Sequence, residues 1–128
     1  MERDIGSILA GWEYAANELS VRKIKGDDGN AKVQIRMDLG VMQLAWTGRP
    51  DAVRPHGFDS LLDYFQSRHR ELCKSDNVQE DRVRSFLLSR EDCWSLAQEA
   101  MQYYWRRISF FELKEYRRAE EDADHNLA

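Results

Sequence analysis

The sequence predicts an α+β domain: an N-terminal helix, a three-stranded antiparallel meander packed by helices, and a closing helical hairpin. Three observations carry this. Val33, Ile35, Met37 and Leu39 alternate with Gln34, Arg36 and Asp38, the two-residue period of a strand with one buried and one wet face. Residues 48–57 gather both prolines of the chain, Pro50 and Pro55, with Gly48 and Gly57, and so mark a junction. Beyond it the apolar period lengthens to that of helices.

Asp4 can cap a first helix whose Ile5, Ile8, Leu9 and Trp12 share one face, ending before Asn17. Ser20 to Lys25 reads as a strand running into the turn Gly26-Asp27-Asp28-Gly29-Asn30, rich in residues that tolerate positive φ. The strand from Val33 to Leu39 follows and Gly40 breaks it. Val41 to Thr47 resumes the alternation, with Met42, Leu44 and Trp46 on one face, which completes a meander. After the junction, Phe58, Leu61, Leu62, Phe65, His69 and Leu72 form a helical stripe expected to lie across the sheet. His56 or Gly57 is its expected N-cap, with Asp59 and Asp63 near the positive end of the helix dipole and Lys74 to Asn77 as its stop.

A short helix is expected over Gln79 to Leu88. Ser89 with Asp92 three residues later is a variant capping box that starts the longest helix, running to about Ile108. Leu96, Ala100, Tyr104, Ile108 and Phe111 are its expected packing line. A turn at Leu113 to Glu115 leads to a last helix lined by Tyr116, Ala119, Ala123 and Leu127. The division is an α+β sheet module over residues 1–75 and a helical extension over 76–128, together one compact unit. No stop signal follows Asn126-Leu127-Ala128, which reads as the front end of a longer protein.

Composition narrows the function. The chain has 128 residues, 42% hydrophobic and 33% charged, enough apolar material for a core under a well-charged surface. Net charge is −4 and neither half is basic, so general nucleic-acid affinity is not expected. Only Cys73 and Cys93 are present, the start Met1-Glu2-Arg3-Asp4 is not a signal peptide, and no apolar run is long enough to span a membrane. A cytoplasmic protein without a membrane role is expected.

Tyr104, Phe110, Phe111, Tyr116, Ala119 and Leu127 are spaced as in one helix pair that resembles the tetratricopeptide type, although Arg107, Lys114 and Asn126 depart from its preferred residues. A second resemblance rests on Asp38-Leu39-Gly40, Gly48-Arg49-Pro50-Asp51, Arg54-Pro55-His56-Gly57, Ser60-Leu61-Leu62-Asp63-Tyr64 and Tyr103 to Arg107. These segments look like the N-terminal region of a family of uncharacterised bacterial proteins in which helical repeats follow, with a UvrB/UvrC-type motif in some members. The resemblance implies this architecture and an association with DNA repair or stress. No UvrB/UvrC-type motif is present in the 128 residues.

Arg49, Asp51, Arg54 and His56 are the ligand or anion-binding candidates: two guanidinium groups and an imidazole at a helix start suit carboxylate or phosphate. A purely structural turn, with Arg49 paired to Asp51 or a helix carboxylate, is the competing account. Tyr103, Trp105, Arg106 and Arg107 are candidates for a partner surface, against a core with a solvated ridge. His69 and Cys73 lie one helical turn apart but make only half a metal site. Glu91, Glu99 and Glu112 are too dispersed for acid/base work without a cleft, and nothing has phosphate-loop or dinucleotide spacing. No catalytic residue, metal or cofactor is expected.

The function expected is a non-catalytic protein-interaction or scaffolding module, whose partner is another protein or the protein's own downstream repeats. An edge strand, Ser20 to Lys25 or Val41 to Trp46, offers a route to a homodimer. A nucleic-acid or nucleotide-associated module acting through Arg49, Arg54, Arg106 and Arg107 is the alternative, and an enzyme of unknown class the second.

Overall fold

In the computed structural model, which describes residues 2–74 and 88–128, a short helix α1 (Gly6–Leu9) precedes three strands, β1 (Val21–Lys25), β2 (Ala31–Arg36) and β3 (Val41–Ala45). A 3₁₀ turn (Pro55–Gly57) and the helices α2 (Leu61–Lys74), α3 (Arg90–Glu112) and α4 (Tyr116–Leu127) follow. The helix expected over Gln79 to Leu88 lies almost wholly outside the described residues.

Asp4 accepts a hydrogen bond from the Gly6 amide, 2.9 Å, but α1 is a single turn. Its expected apolar face is largely open, with Ile5 and Ile8 about half exposed. The sheet is the expected meander in the order β1-β2-β3, both pairs antiparallel. Gly29, at φ +84°, allows the first turn, which closes through Gly26 N to Asn30 O, 2.8 Å. The second strand is shorter than its alternation suggests. Met37 N donates to Gly40 O, 2.8 Å, so Met37 to Gly40 form the second turn and Leu39 stands 86% exposed.

On the face expected to be wet, where Gln34 is in fact buried, a row of side chains crosses all three strands. Arg22 Nε donates to Gln34 Oε1, 2.8 Å, and Gln34 Nε2 to Gln43 Oε1, 2.9 Å. The inner face carries Val33, Ile35, Leu44 and Trp46, all buried. Phe110 of α3 meets the Trp46 ring edge-on at 4.9 Å, and Ala119 of α4 completes the cluster, with Trp105 and Leu113 packed against it. The sheet is therefore roofed by the C-terminal hairpin. The Phe58 to Leu72 stripe, expected in that position, instead turns Leu62 and Phe65 toward Leu96 of α3. Periodicity identifies an apolar face without identifying what it meets.

The capping box of Ser89 and Asp92 forms in both directions, at 3.0 and 3.1 Å. Helix α3 ends in a paired closure, Glu115 N to Phe110 O at 2.8 Å and Lys114 N to Phe111 O at 3.1 Å, with Lys114 left-handed at φ +63°. A side chain there is strained and Lys114 is exposed. Lys114→Gly is expected to stabilise the protein by about 0.5–1 kcal/mol, read as a higher urea midpoint at unchanged slope.

Candidate functional site

The chain leaves β3 at Ala45, and Gly48 takes φ +76°, folding the junction back so that Ala45 N donates to Pro50 O, 2.7 Å. Pro50 is fully buried there. Arg49 points inward, its Nη1 3.3 Å from Asp51 Oδ2 and its Nε 3.0 Å from Glu99 Oε1. The Nε contact is an ion pair by distance, without the alignment of a hydrogen bond. Gln102 Nε2 donates to the same Asp51 oxygen, 3.1 Å, while Asp51 Oδ1 accepts from Val53 N. Arg54 and His56 take other directions: Arg54 pairs with exposed Asp59 at 3.3 Å, and His56 stacks on Tyr64 at 4.0 Å. The four candidates do not converge. Arg49 and Asp51 join an internal network, and no two-arginine clamp forms.

Glu99 is the centre of that network. Only 1% exposed, it accepts from the Leu61 amide at 2.6 Å and the Leu62 amide at 3.1 Å, and meets His125 Nε2 at 3.3 Å. One carboxylate thus caps α2 from outside and ties it to α3, α4 and the junction. The residue directly preceding α2 that caps it is Ser60, whose Oγ accepts from Asp63 N at 3.0 Å, rather than His56 or Gly57. The first amides of a helix need acceptors, and Glu99 and Ser60 supply them.

A second buried pair lies beside the first. Arg106 donates through Nε and Nη2 to both oxygens of Asp122, each at 2.8 Å, and both residues are 4% exposed. Its Nη1 donates to Ala45 O at 3.1 Å and Gly48 O at 2.6 Å, fixing the start of the junction to α3. Tyr103 stacks on His125 at 3.7 Å, with the Arg106 guanidinium 5.0 Å from its ring centre. Burial pushes the Tyr103 hydroxyl up to about 12, against the opposing charge of Arg106.

The structure separates the four residues expected to form a partner surface, Tyr103, Trp105, Arg106 and Arg107. Tyr103 and Arg106 are interior, Trp105 packs against the sheet core, and only half-buried Arg107 borders a groove. The line facing inward is Glu99, Tyr103, Arg106 and Phe110. In the line expected to pack, Tyr104 is 39% and Phe111 64% exposed, with Trp94 at 67% and Met101 at 51% on the same open side. Toward α4 this side deepens into a groove of about 560 Å³ lined by Ile108, Phe111, Tyr116, Ala119 and Ala123, with Arg107, Glu112 and Glu120 at its margin.

His69 and Cys73 do meet on α2, with Sγ 3.8 Å from Nε2. Among the described residues no group of three or more His, Cys, Asp or Glu side chains could hold a metal ion. No helix among them is long and apolar enough to cross a membrane.

Burial raises the Glu99 carboxyl, but the hydrogen bond to His125, the two amides and the Arg49 charge outweigh it and hold the group below its ordinary value of 4.5. A carboxyl depressed by folding contributes stability above its unfolded pKa and loses it as pH falls through the folded value. The urea midpoint is therefore expected to fall below about pH 4.5, with a shallower acid limb in Glu99→Gln. An unchanged limb would place the acid sensitivity elsewhere.

No family model matches the chain, and no curated protein or solved structure does so. What fold and site define is an α+β domain in which the conspicuous charged residues hold the structure together and an apolar helical face is left open.

Proposed function

We propose that this domain is a non-catalytic protein-interaction module that receives a helix on the open face of α3 and in the groove shared with α4. The observation that carries this reading is the set of exposed apolar residues Trp94, Met101, Tyr104 and Phe111 along one helix. Large apolar side chains grouped on a surface mark places where another surface is buried. A scaffolding role fits the same face, since helix pairs of the tetratricopeptide type stack further helices on such surfaces. The nucleic-acid alternative has less support: Arg49 and Arg106 neutralise internal carboxylates, and exposed Arg54 pairs with Asp59.

Fluorescently labelled amphipathic helical peptides, with leucine stripes and either acidic or basic flanks, test the reading by anisotropy. Binding in the micromolar range is expected, weakened at least ten-fold by Ile108→Asp, with short DNA and RNA unbound at low salt. Indifference of every peptide to this face would remove the reading.

A further inference from the structure

On α3 the open residues follow a seven-residue repeat. Trp94, Ala97, Met101, Tyr104, Ile108 and Phe111 are separated by three, four, three, four and three positions, the alternation that fills the first and fourth places of successive heptads. All are exposed except Ile108, which is half-buried. Among the described residues, the neighbours of α3 leave this side open. On one flank α4 is held by Asn126 to Ala100 O at 3.0 Å, and on the other the junction is held by Gln102 to Asp51. A stripe of this period, about 27 Å long at 1.5 Å per residue, suits one helix packed along its length.

The flanking charges select the occupant. Arg107 immediately precedes a first-place residue, Ile108, and Glu112 immediately follows a fourth-place residue, Phe111. In two parallel helices in register, a residue before the first place lies opposite the partner's residue five positions later. Arg107 of each copy then faces Glu112 of the other, giving two equivalent opposite-charge pairs about a twofold axis. Among the described residues neither side chain has an ion-pair partner within its own chain. We infer that the helix received by α3 is α3 of a second copy, forming a parallel, in-register twofold dimer through this heptad stripe. This rests on the interaction-module reading and names its partner; it places a homodimer on a helical face instead of a sheet edge.

Sedimentation equilibrium of the full chain from about 1 to 200 μM is expected to show a monomer–dimer equilibrium, with Phe111→Glu monomeric and its circular dichroism unchanged. Arg107→Glu and Glu112→Arg should each weaken dimerisation roughly ten-fold, because each sets like charges opposite one another at both pairs. Mixing these two variants should restore association as a heterodimer, since their altered charges complement one another, and the double variant should dimerise as the parent does. A monomer throughout the range, or a dimer insensitive to Phe111→Glu and to both charge reversals, would overturn the proposal. In either case peptide binding lost in Ile108→Asp would leave the interaction module standing with a different partner. Loss of both would remove both readings.

Discussion

Glu99→Ala is expected to destabilise the protein by about 3–5 kcal/mol, the range for removing one partner of a buried ion pair. Three things happen together: the Leu61 and Leu62 amides lose their acceptor, Arg49 keeps, among the described residues, only Asp51 as an ion partner, and His125 loses its carboxylate. At roughly 3–5 °C per kcal/mol for a domain of this size, the melting temperature should fall by about 9–25 °C. Glu99→Gln keeps one acceptor oxygen and should cost clearly less. Because α2 is tied through this carboxylate, Glu99→Ala should also expose α2 amides to hydrogen exchange before those of β2. A loss below 1 kcal/mol in urea unfolding would show that the network is dispensable.

Asp122→Ala is expected to cost a similar amount, about 3–5 kcal/mol, by leaving the Arg106 guanidinium buried with only two carbonyl partners. Arg106→Met alone frees Asp122 and also removes the donors to Ala45 O and Gly48 O, so the junction loosens from α3. The double variant, Arg106→Met with Asp122→Ala, should cost less than the sum of its parts because no unpaired charge remains. The two carbonyls would still lack their donor, which sets a residual cost of about 1–3 kcal/mol. Additive losses in this double-mutant cycle would mean that the pair is not coupled.

The meander, its first turn, the capping box at Ser89 and the closing hairpin were all legible, because each depends on neighbours within a few residues. Gly29 is the glycine a positive φ requires, and Ser89 meets Asp92 within one helical turn. The site was legible only in part. The junction is where the polar centre lies, and Arg49 pairs with Asp51 and a helix carboxylate, the structural alternative to a ligand site. Nothing local marks Glu99, Asp122 and His125 as its partners, since Leu61 and Glu99 meet across 38 residues and Arg106 and Asp122 across 16. For Glu99 a signal is present as the helical spacing of Glu99, Tyr103, Arg106 and Phe110, in which charged and apolar residues share one face.

The sequence by itself determined the α+β class, the three-strand meander with its first turn, and the start of α3 and its hairpin with α4. Those properties follow from period, backbone conformation and local capping. Only the tertiary structure decided which face of α3 points inward. Apolarity favours burying Tyr104, Ile108 and Phe111, yet the face carrying Glu99 and Arg106 is the one enclosed, because each buried charge finds an opposite charge and hydrogen bonds that offset its desolvation. The apolar stripe is consequently the surface that remains.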